Sequence, residues 1–216
     1  NALALADLWR FTADDVLLHA LPVYHTHGLF VATNTVLASG ASMLWLPKFD
    51  AAHMLSLLPR ATVMMGVPTF YTRLLSLDGL DHAAVASMRL FISGSAPLLS
   101  ETHDQFRART GHASLERYGM TETQMNTSNP YDGARIAGTV GHPLPGVELR
   151  IADPDADGIG MIEVRGPNVC KGYWRNPEAT AAAIRDGWLW TGDVGCFDAD
   201  GFLTLKDRSK DMLISG

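Results

Sequence analysis

The sequence predicts an α/β fold, with a parallel-sheet α/β subdomain followed by a small, mostly β subdomain of the distorted-barrel type. Between about residues 16 and 118, short apolar runs typical of strands alternate with helical stretches, the pattern of βαβ units. After about residue 138, glycine and proline become frequent and short alternating runs lie between turns. We therefore expect the first subdomain to span residues 1–137 and the second to span residues 138–209.

Each element follows from its own pattern. An apolar stripe over residues 1–9 predicts a helix. Five apolar runs predict the strands of the first subdomain, at residues 16–21, 42–46, 62–67, 89–93 and 114–118. Helical stretches lie between them at residues 28–38, 51–58, 69–75 and 100–110, and Ser100 is expected to cap the last of these. The second subdomain should contain strands near residues 147–151, 160–164, 189–191 and 202–205.

Composition narrows the function classes. The chain has 216 residues, 47% hydrophobic and 19% charged, which is typical of a globular domain with a core. A net charge of -6 offers no basic face to nucleic acid, and the longest apolar runs fall short of the roughly 20 residues needed to cross a bilayer. Cys170 and Cys196 lie far apart, so neither a zinc site nor a redox pair is indicated, and a cytoplasmic location fits. Both ends of the chain resemble cuts through a longer protein.

The strongest local signal is Arg117-Tyr-Gly-Met-Thr-Glu122, about 20 residues after Ser93-Gly-Ser-Ala-Pro97. Gly119 would permit a tight turn after a strand, and Thr121 and Glu122 would then present oxygen groups suited to a phosphate and its magnesium ion. The alternative is a strand-to-helix turn with a solvated glutamate. The acidic loop at residues 153–158 lacks the spacing of a calcium loop.

Further blocks follow in order. They are the segment from Gly160 to Trp174, Trp190-Thr-Gly-Asp193, and residues 207–216, which begin Asp-Arg-Ser-Lys. Together with the first signal they resemble the adenylate-forming superfamily of acyl-CoA synthetases, luciferases and peptide-synthetase adenylation domains, over essentially the whole chain. The resemblance implies ATP, Mg²⁺ and coenzyme A as cofactors. Asp207 departs from the glycine that usually precedes the arginine of the last block.

The same resemblance implies roles for individual residues. Thr121 should touch the α-phosphate and Glu122 should hold magnesium, as the catalytic pair. Asp193 should accept hydrogen bonds from the ribose hydroxyls, and Lys210 matches a hinge, within residues 210–216, to a further C-terminal domain. The remaining nucleotide-binding residues are expected to be Gly94, Ser95, Ala96, Glu116, Tyr118, which should stack near adenine, Gly119, Met120 and Arg208. The alternatives are that Asp193 caps a turn and that Arg208 belongs to a surface ion network.

Arg117 indicates which carboxylic acid is the substrate. If its guanidinium turns inward, it would present a bidentate fork close to the bound acid, and a second carboxylate on the substrate would offset the cost of burying the cation. Together with His25, Ser95, Met120 and the rest of residues 120–130, it resembles the malonyl-CoA synthetase branch. The alternatives are a surface pair between Arg117 and Glu116, and a loop role for His25 and His27.

The resemblance thus implies ATP-dependent conversion of malonate, or methylmalonate, to an acyl-adenylate and then to the coenzyme A thioester. One alternative is a ligase for an aryl or medium-chain acid, with an apolar pocket and Arg117 turned outward. The other is a non-catalytic adenylate-binding module. The phosphate loop and the lysine-bearing C-terminal domain of the family are not in this sequence, so the fragment alone is expected to be inactive.

Overall fold

The structure of the protein is a computed structural model, in which residues 1–208 are described, with their side chains through residue 206. Six α-helices lie in this range: α1 (Ala2–Leu8), α2 (Asn34–Ser39), α3 (Ala51–Leu57), α4 (Pro68–Leu75), α5 (Ser100–Thr110) and α6 (Pro177–Ala183). The same residues form twelve strands: β1 (Val16–His19), β2 (Ser42–Trp45), β3 (Val63–Gly66), β4 (Leu90–Ser93), β5 (Leu115–Met120), β6 (Gln124–Ser128), β7 (His142–Pro143), β8 (Glu148–Ala152), β9 (Gly160–Arg165), β10 (Ile184–Arg185), β11 (Trp188–Phe197) and β12 (Leu203–Arg208).

The first sheet has seven strands in the order β2-β1-β3-β4-β5-β6-β7. Strands β2 through β5 of that order pair in parallel, whereas β6 and β7 are added antiparallel. Every residue of β3 and β4 is buried, as expected for parallel strands covered on both faces. The carboxyl ends of β1, β4 and β5 therefore open at one edge, which is where ligands bind in such sheets.

The second sheet is antiparallel, in the order β10-β11-β9-β8, with β12 paired to β11. An α/β layer followed by an antiparallel β layer confirms the predicted fold class. Strand β7 still belongs to the first sheet, and the exact subdomain boundaries at residues 137 and 209 stay a prediction. Within residues 1–208, no helix is long and apolar enough to cross a membrane.

The structure settles three local details of the sequence prediction, and one expectation among them was wrong. Ser100 does not cap α5: the cap position is Leu99, and neither residue makes a side-chain capping bond there. The helix expected at 28–38 begins as a π-helical turn over His27–Thr33 and becomes α-helical only from Asn34. Finally, the alternative of a strand-to-helix turn at residues 117–122 is excluded, because this block leads into strand β6 and β5 and β6 form a hairpin.

Candidate active site

A cavity of about 960 Å³ opens at the carboxyl edge of the first sheet and extends to the second. The loop after β1 and the loop after β4 contribute one wall, and β5 with its following turn contributes another. The third wall comes from α6, β10 and β11. The cavity is lined by His25, Thr26, His27, Ser95, Arg117, Gly119, Met120, Thr121, Glu122, Met125, Met161, Tyr173, Ala179, Ala182, Ala183, Arg185, Trp190, Thr191 and Gly192.

Glycine at position 119 is required by close packing in the hairpin. A Cβ atom there would lie 1.9 Å from the carbonyl oxygen of Gln124, so any side chain would clash with the main chain of β6. Its φ is not in the left-handed region, whereas Gln124 has φ 57°. The expectation that Gly119 supplies turn flexibility was therefore wrong: the glycine lets two strands approach at an irregularity in their pairing, and Gln124 adopts the unusual conformation.

Arg117 lies inside the protein at the cavity wall. Only 3% of the residue is exposed, and its Nε and Nη2 atoms have no hydrogen-bond partner. No ion pair formed by the described side chains includes it. Burial lowers the pKa of the guanidinium to about 9, so the group is still charged at neutral pH. The proposed surface pair with Glu116 does not form.

Glu116 points to the opposite side of β5. One carboxylate oxygen accepts a hydrogen bond from the main-chain N–H of Gly138 at 3.2 Å and lies 3.8 Å from Nδ1 of His103. Burial raises the pKa of this carboxyl to about 7, although main-chain donors at Gly138 and Leu98 partly oppose that shift. The side chain does not line the cavity, so any contact of Glu116 with a nucleotide is limited to its main chain.

His27 and Ser95 separate the large cavity from a second one of about 580 Å³. The Ser95 hydroxyl and Nδ1 of His27 are 3.2 Å apart, within hydrogen-bond distance. Burial, and then the charge of Arg117, lower the pKa of His27 well below its ordinary value, so the imidazole is neutral at pH 7. His25 is exposed, lines both cavities and accepts a hydrogen bond at Nδ1 from the main-chain N–H of His27.

Tyr118 and Asp193 connect the two sheets. The Tyr118 hydroxyl donates to Oδ2 of Asp193 at 2.5 Å, and both residues are buried. Asp193 lies within β11, and its main-chain N–H bonds to the Thr191 hydroxyl, so it does not merely cap a turn. Its strand partner in β12 is Arg208, whose side chain lies outside the described residues, as does the whole of Lys210.

Thr121 and Glu122 form the turn of the hairpin and face the cavity. Thr26 donates a hydrogen bond to the Thr121 hydroxyl at 3.3 Å, and the Tyr173 hydroxyl donates to Oε1 of Glu122 at 3.0 Å. One carboxylate is a sufficient protein ligand for Mg²⁺, because this ion keeps several waters and takes substrate phosphate oxygens as well. The donor set fits a phosphate-bound magnesium ion, although residues 1–208 contain no cluster of three metal-ligating side chains.

Comparison with known proteins decides the family. Residues 1–174 match the family model described as AMP-binding enzyme, which is most of the chain. The chain belongs to the AMP-binding enzyme family. A malonate–CoA ligase of Arabidopsis thaliana is 40% identical over 228 residues, covering 95% of this chain and 38% of that protein.

Two solved structures of this family are similar throughout. ATP-bound MatB from Rhodopseudomonas palustris is 59% identical, with a TM-score of 0.95 over 99% of this chain and 44% of that one. A malonyl-CoA ligase with methylmalonyl-CoA and AMP bound is 43% identical, with a TM-score of 0.89 over 96% of this chain and 48% of the other. The chain thus spans less than half the length of these relatives.

Within this AMP-binding enzyme fold, seven residues singled out from the sequence line one cavity: His25, Ser95, Arg117, Gly119, Met120, Thr121 and Glu122. Gly94, Ala96, Glu116, Tyr118 and Asp193 lie beside it without lining it. His27 was weighed from the sequence as a residue that could face the acyl pocket or lie in a loop, and the structure buries it against Ser95 at the cavity wall. Sequence reasoning missed Arg185, whose guanidinium stacks 4.2 Å from the Trp190 ring centroid at the cavity wall, and Tyr173, although Tyr173 stands in a block already noted.

Proposed function

We propose that the protein containing this chain activates malonate, or methylmalonate, with ATP and transfers it to coenzyme A. The products would be malonyl-CoA, AMP and pyrophosphate. The observation that supports this substrate is Arg117, a buried guanidinium that faces a large cavity without any carboxylate partner among the described side chains. A buried cation is costly unless a negative charge accompanies it, and the distal carboxylate of a short diacid would supply that charge.

The acid would bind between β5 and the loop that carries Ser95. Arg117 would hold the distal carboxylate, while His25, Ser95 and Met120 would contact the rest of the acid. Neutral His27 supports this arrangement, because it adds no second positive charge beside Arg117 and can donate a hydrogen bond.

The nucleotide would lie farther along the same cavity. We propose that Asp193 accepts the ribose hydroxyls and that the Tyr118 hydroxyl keeps its carboxylate in place. The main chains of Gly94, Ser95, Ala96, Glu116 and Gly119 would border the adenylate, with Met120 beside them. Arg208 would assist at the ribose, since its backbone pairs with that of Asp193, and Lys210 would be the hinge.

Thr121 and Glu122 would act at the reacting phosphate. Glu122 would hold Mg²⁺, whose charge, when bound, neutralises the phosphate oxygens. Thr121 would donate to the α-phosphate, and its bond from Thr26 would orient the hydroxyl. The acid carboxylate attacks the α-phosphorus and pyrophosphate leaves, so no protein nucleophile is needed. Rate enhancement would then rest on positioning and on fixed charges.

The whole-protein properties follow as proposals. Because the relatives are more than twice as long, we propose that turnover needs segments of the full-length protein and that these 216 residues are inactive alone. A cytoplasmic location stays a prediction from cysteine content. An aryl or medium-chain acid is disfavoured by the inward position of Arg117. A non-catalytic adenylate-binding module is disfavoured by the placement of Thr121 and Glu122 at the cavity.

The test is a panel of acids given to the full-length protein with ATP, magnesium and coenzyme A. We expect malonate and methylmalonate to have the highest kcat/KM, above propionate, benzoate and octanoate. Thioester formed fastest from a monocarboxylate would reject the diacid assignment but retain the ligase. Binding of AMP without thioester from any acid would favour the non-catalytic module.

A further inference from the structure

The Arg117 guanidinium lies directly on the main chain of Gly94. A Cβ atom built on Gly94 would be 2.3 Å from Cζ of Arg117, 2.5 Å from Nη1 and 2.6 Å from Nε. These three near-equal distances show that the flat face of the guanidinium covers the position a side chain would take. No other residue type fits there while Arg117 keeps its place.

The need for glycine at position 94 is one of space. Gly94 is not among the residues with positive φ, so an alanine could adopt its backbone conformation without strain. Its main-chain N–H donates to the carbonyl of Gly66 at 3.2 Å, which fixes the position of the loop at the end of β4. The next residue, Ser95, adopts a left-handed φ of 70°, and its hydroxyl lies 3.2 Å from Nδ1 of His27, within hydrogen-bond distance. The loop therefore has a polar contact on each side of the guanidinium.

We propose that Gly94 is the packing site of Arg117 and a specificity-determining position for short dicarboxylic acids. By lacking a side chain it allows the guanidinium to lie against the loop that carries Ser95. That contact fixes the distance between the distal carboxylate of the substrate and the carboxylate that reacts. The inference rests on the proposed function for its substrate, while the packing of Gly94 against Arg117 is independent of it.

The size of the expected effect follows from the geometry. Ordinary contacts of a Cβ atom begin at about 3.4 Å, so an alanine would have to displace Cζ by about 1 Å. A bidentate bond between guanidinium and carboxylate depends on orientation, and a misplacement of this size costs up to about 100-fold in rate. We expect Gly94→Ala to lower the ratio of kcat/KM for malonate to that for propionate by about 10- to 100-fold.

A double-mutant cycle in the full-length protein tests this inference. Wild type, Gly94→Ala, Arg117→Ala and the double variant are compared by the malonate-to-propionate ratio and by the free energy of unfolding. Once Arg117 is truncated, the added methyl group has nothing to displace. We therefore expect Gly94→Ala to change neither quantity in the Arg117→Ala background. Gly79→Ala is the matched control, since its Cβ would meet only a Leu55 methyl group at 3.3 Å.

The outcomes distinguish the packing of Arg117 on Gly94 from the role of this packing in specificity. If Gly94→Ala destabilises the protein equally with and without Arg117, the packing site is rejected, because the glycine is then needed for the loop conformation itself. If the destabilisation depends on Arg117 but Gly94→Ala leaves the malonate-to-propionate ratio unchanged, the packing site is retained and its role in specificity is rejected. If Arg117→Ala alone leaves the ratio unchanged, the diacid function fails. Should Gly94→Ala fail to fold, we expect the double variant with Arg117→Ala to fold. A double variant that also fails to fold would contradict the packing site.

Discussion

The two faces of strand β5 treat buried charge in opposite ways. Glu116 and Arg117 are consecutive, both are buried and both carry ionisable groups, yet they do not pair. On one face the Glu116 carboxyl is enclosed by main-chain donors and His103. On the other face the Arg117 guanidinium is left without a counter-charge and faces a cavity.

We interpret this difference as one between a structural charge and a functional one. Because side chains alternate along a strand, Arg117 cannot pair with the adjacent Glu116. No other described acidic side chain pairs with Arg117 in the way that Asp15 pairs with Arg89 at 2.7 Å. We therefore interpret the face of β5 that carries Arg117, the open face, as the acid-binding face. The face that carries Glu116, the closed face, holds the surrounding loops in place.

The largest effect is expected on the open face. Arg117→Ala should cost about 2–5 kcal/mol of transition-state stabilisation with malonate, because the distal carboxylate loses its partner. That corresponds to a fall of about 30- to several-thousand-fold in kcat/KM. Propionate lacks this carboxylate and should fall far less. The ratio of the two constants, measured in the full-length protein, is the decisive quantity.

Arg107→Ala is the matched control for loss of an arginine, because Arg107 is exposed on α5 and does not line the cavity. It should leave the malonate-to-propionate ratio unchanged. An equal loss for both acids in Arg117→Ala would make Arg117 a structural residue, and the two faces of β5 would then not differ in function.

The next effect concerns the turn that follows β5. Glu122→Gln should slow the adenylation half-reaction by at least about tenfold, since an amide is a poorer magnesium ligand than a carboxylate and loss of site groups typically costs 10- to 100-fold. Pyrophosphate release is measured with malonate present and coenzyme A absent. Glu178→Gln, an exposed change on α6, is the control. A wild-type rate for Glu122→Gln would exclude Glu122 as the ligand.

A smaller effect is expected where the closed face meets the second sheet. Tyr118→Phe removes the hydrogen bond to Asp193, and bonds to a charged acceptor contribute about 1.5–3 kcal/mol. We expect KM for ATP to rise by about tenfold or more, with a smaller change in kcat. The double variant Tyr118→Phe/Asp193→Ala should match Asp193→Ala. Additive losses would show that Tyr118 acts on the nucleotide independently of Asp193.

Much of the fold could be predicted because its signals are local. Strands β1, β3 and β4 are continuous apolar runs, and α3 to α5 are helical stretches between them. Strand β6 was missed because its buried residues include Asn126, Thr127 and Ser128, which give no apolar pattern. Helix α6 was missed despite a readable start, at which the Asn176 side chain accepts the Ala179 N–H ahead of Pro177.

The residues of the candidate site could be named from the sequence, but their arrangement could not. Seven of the residues named from the sequence line one cavity, and their roles stay predictions. The packing of Arg117 on Gly94 and the burial of His27 depend on contacts between residues far apart in the chain. No periodicity or spacing encodes such contacts, so only the folded structure distinguishes the inward Arg117 from one paired with Glu116.

The smallest effect on turnover is expected from substitution of Glu116. This substitution should instead change how the free energy of unfolding depends on pH. Burial raises the pKa of its carboxyl from an ordinary 4.5 to about 7. The folded state therefore binds the proton more tightly than the unfolded state. The stability that Glu116 contributes is fully present below about pH 4.5 and is lost as pH rises through about 7.

Glu116→Gln removes this titration while keeping an acceptor for the Gly138 N–H. Between pH 4.5 and pH 8, wild type should lose about 2–3 kcal/mol of unfolding free energy relative to Glu116→Gln. Denaturant unfolding of both proteins across this range measures the difference. The exposed Glu101→Gln on α5 should show no such trend. Parallel curves for wild type and Glu116→Gln would mean that the closed face holds its carboxylate without cost, and that the asymmetry of β5 lies in Arg117 alone.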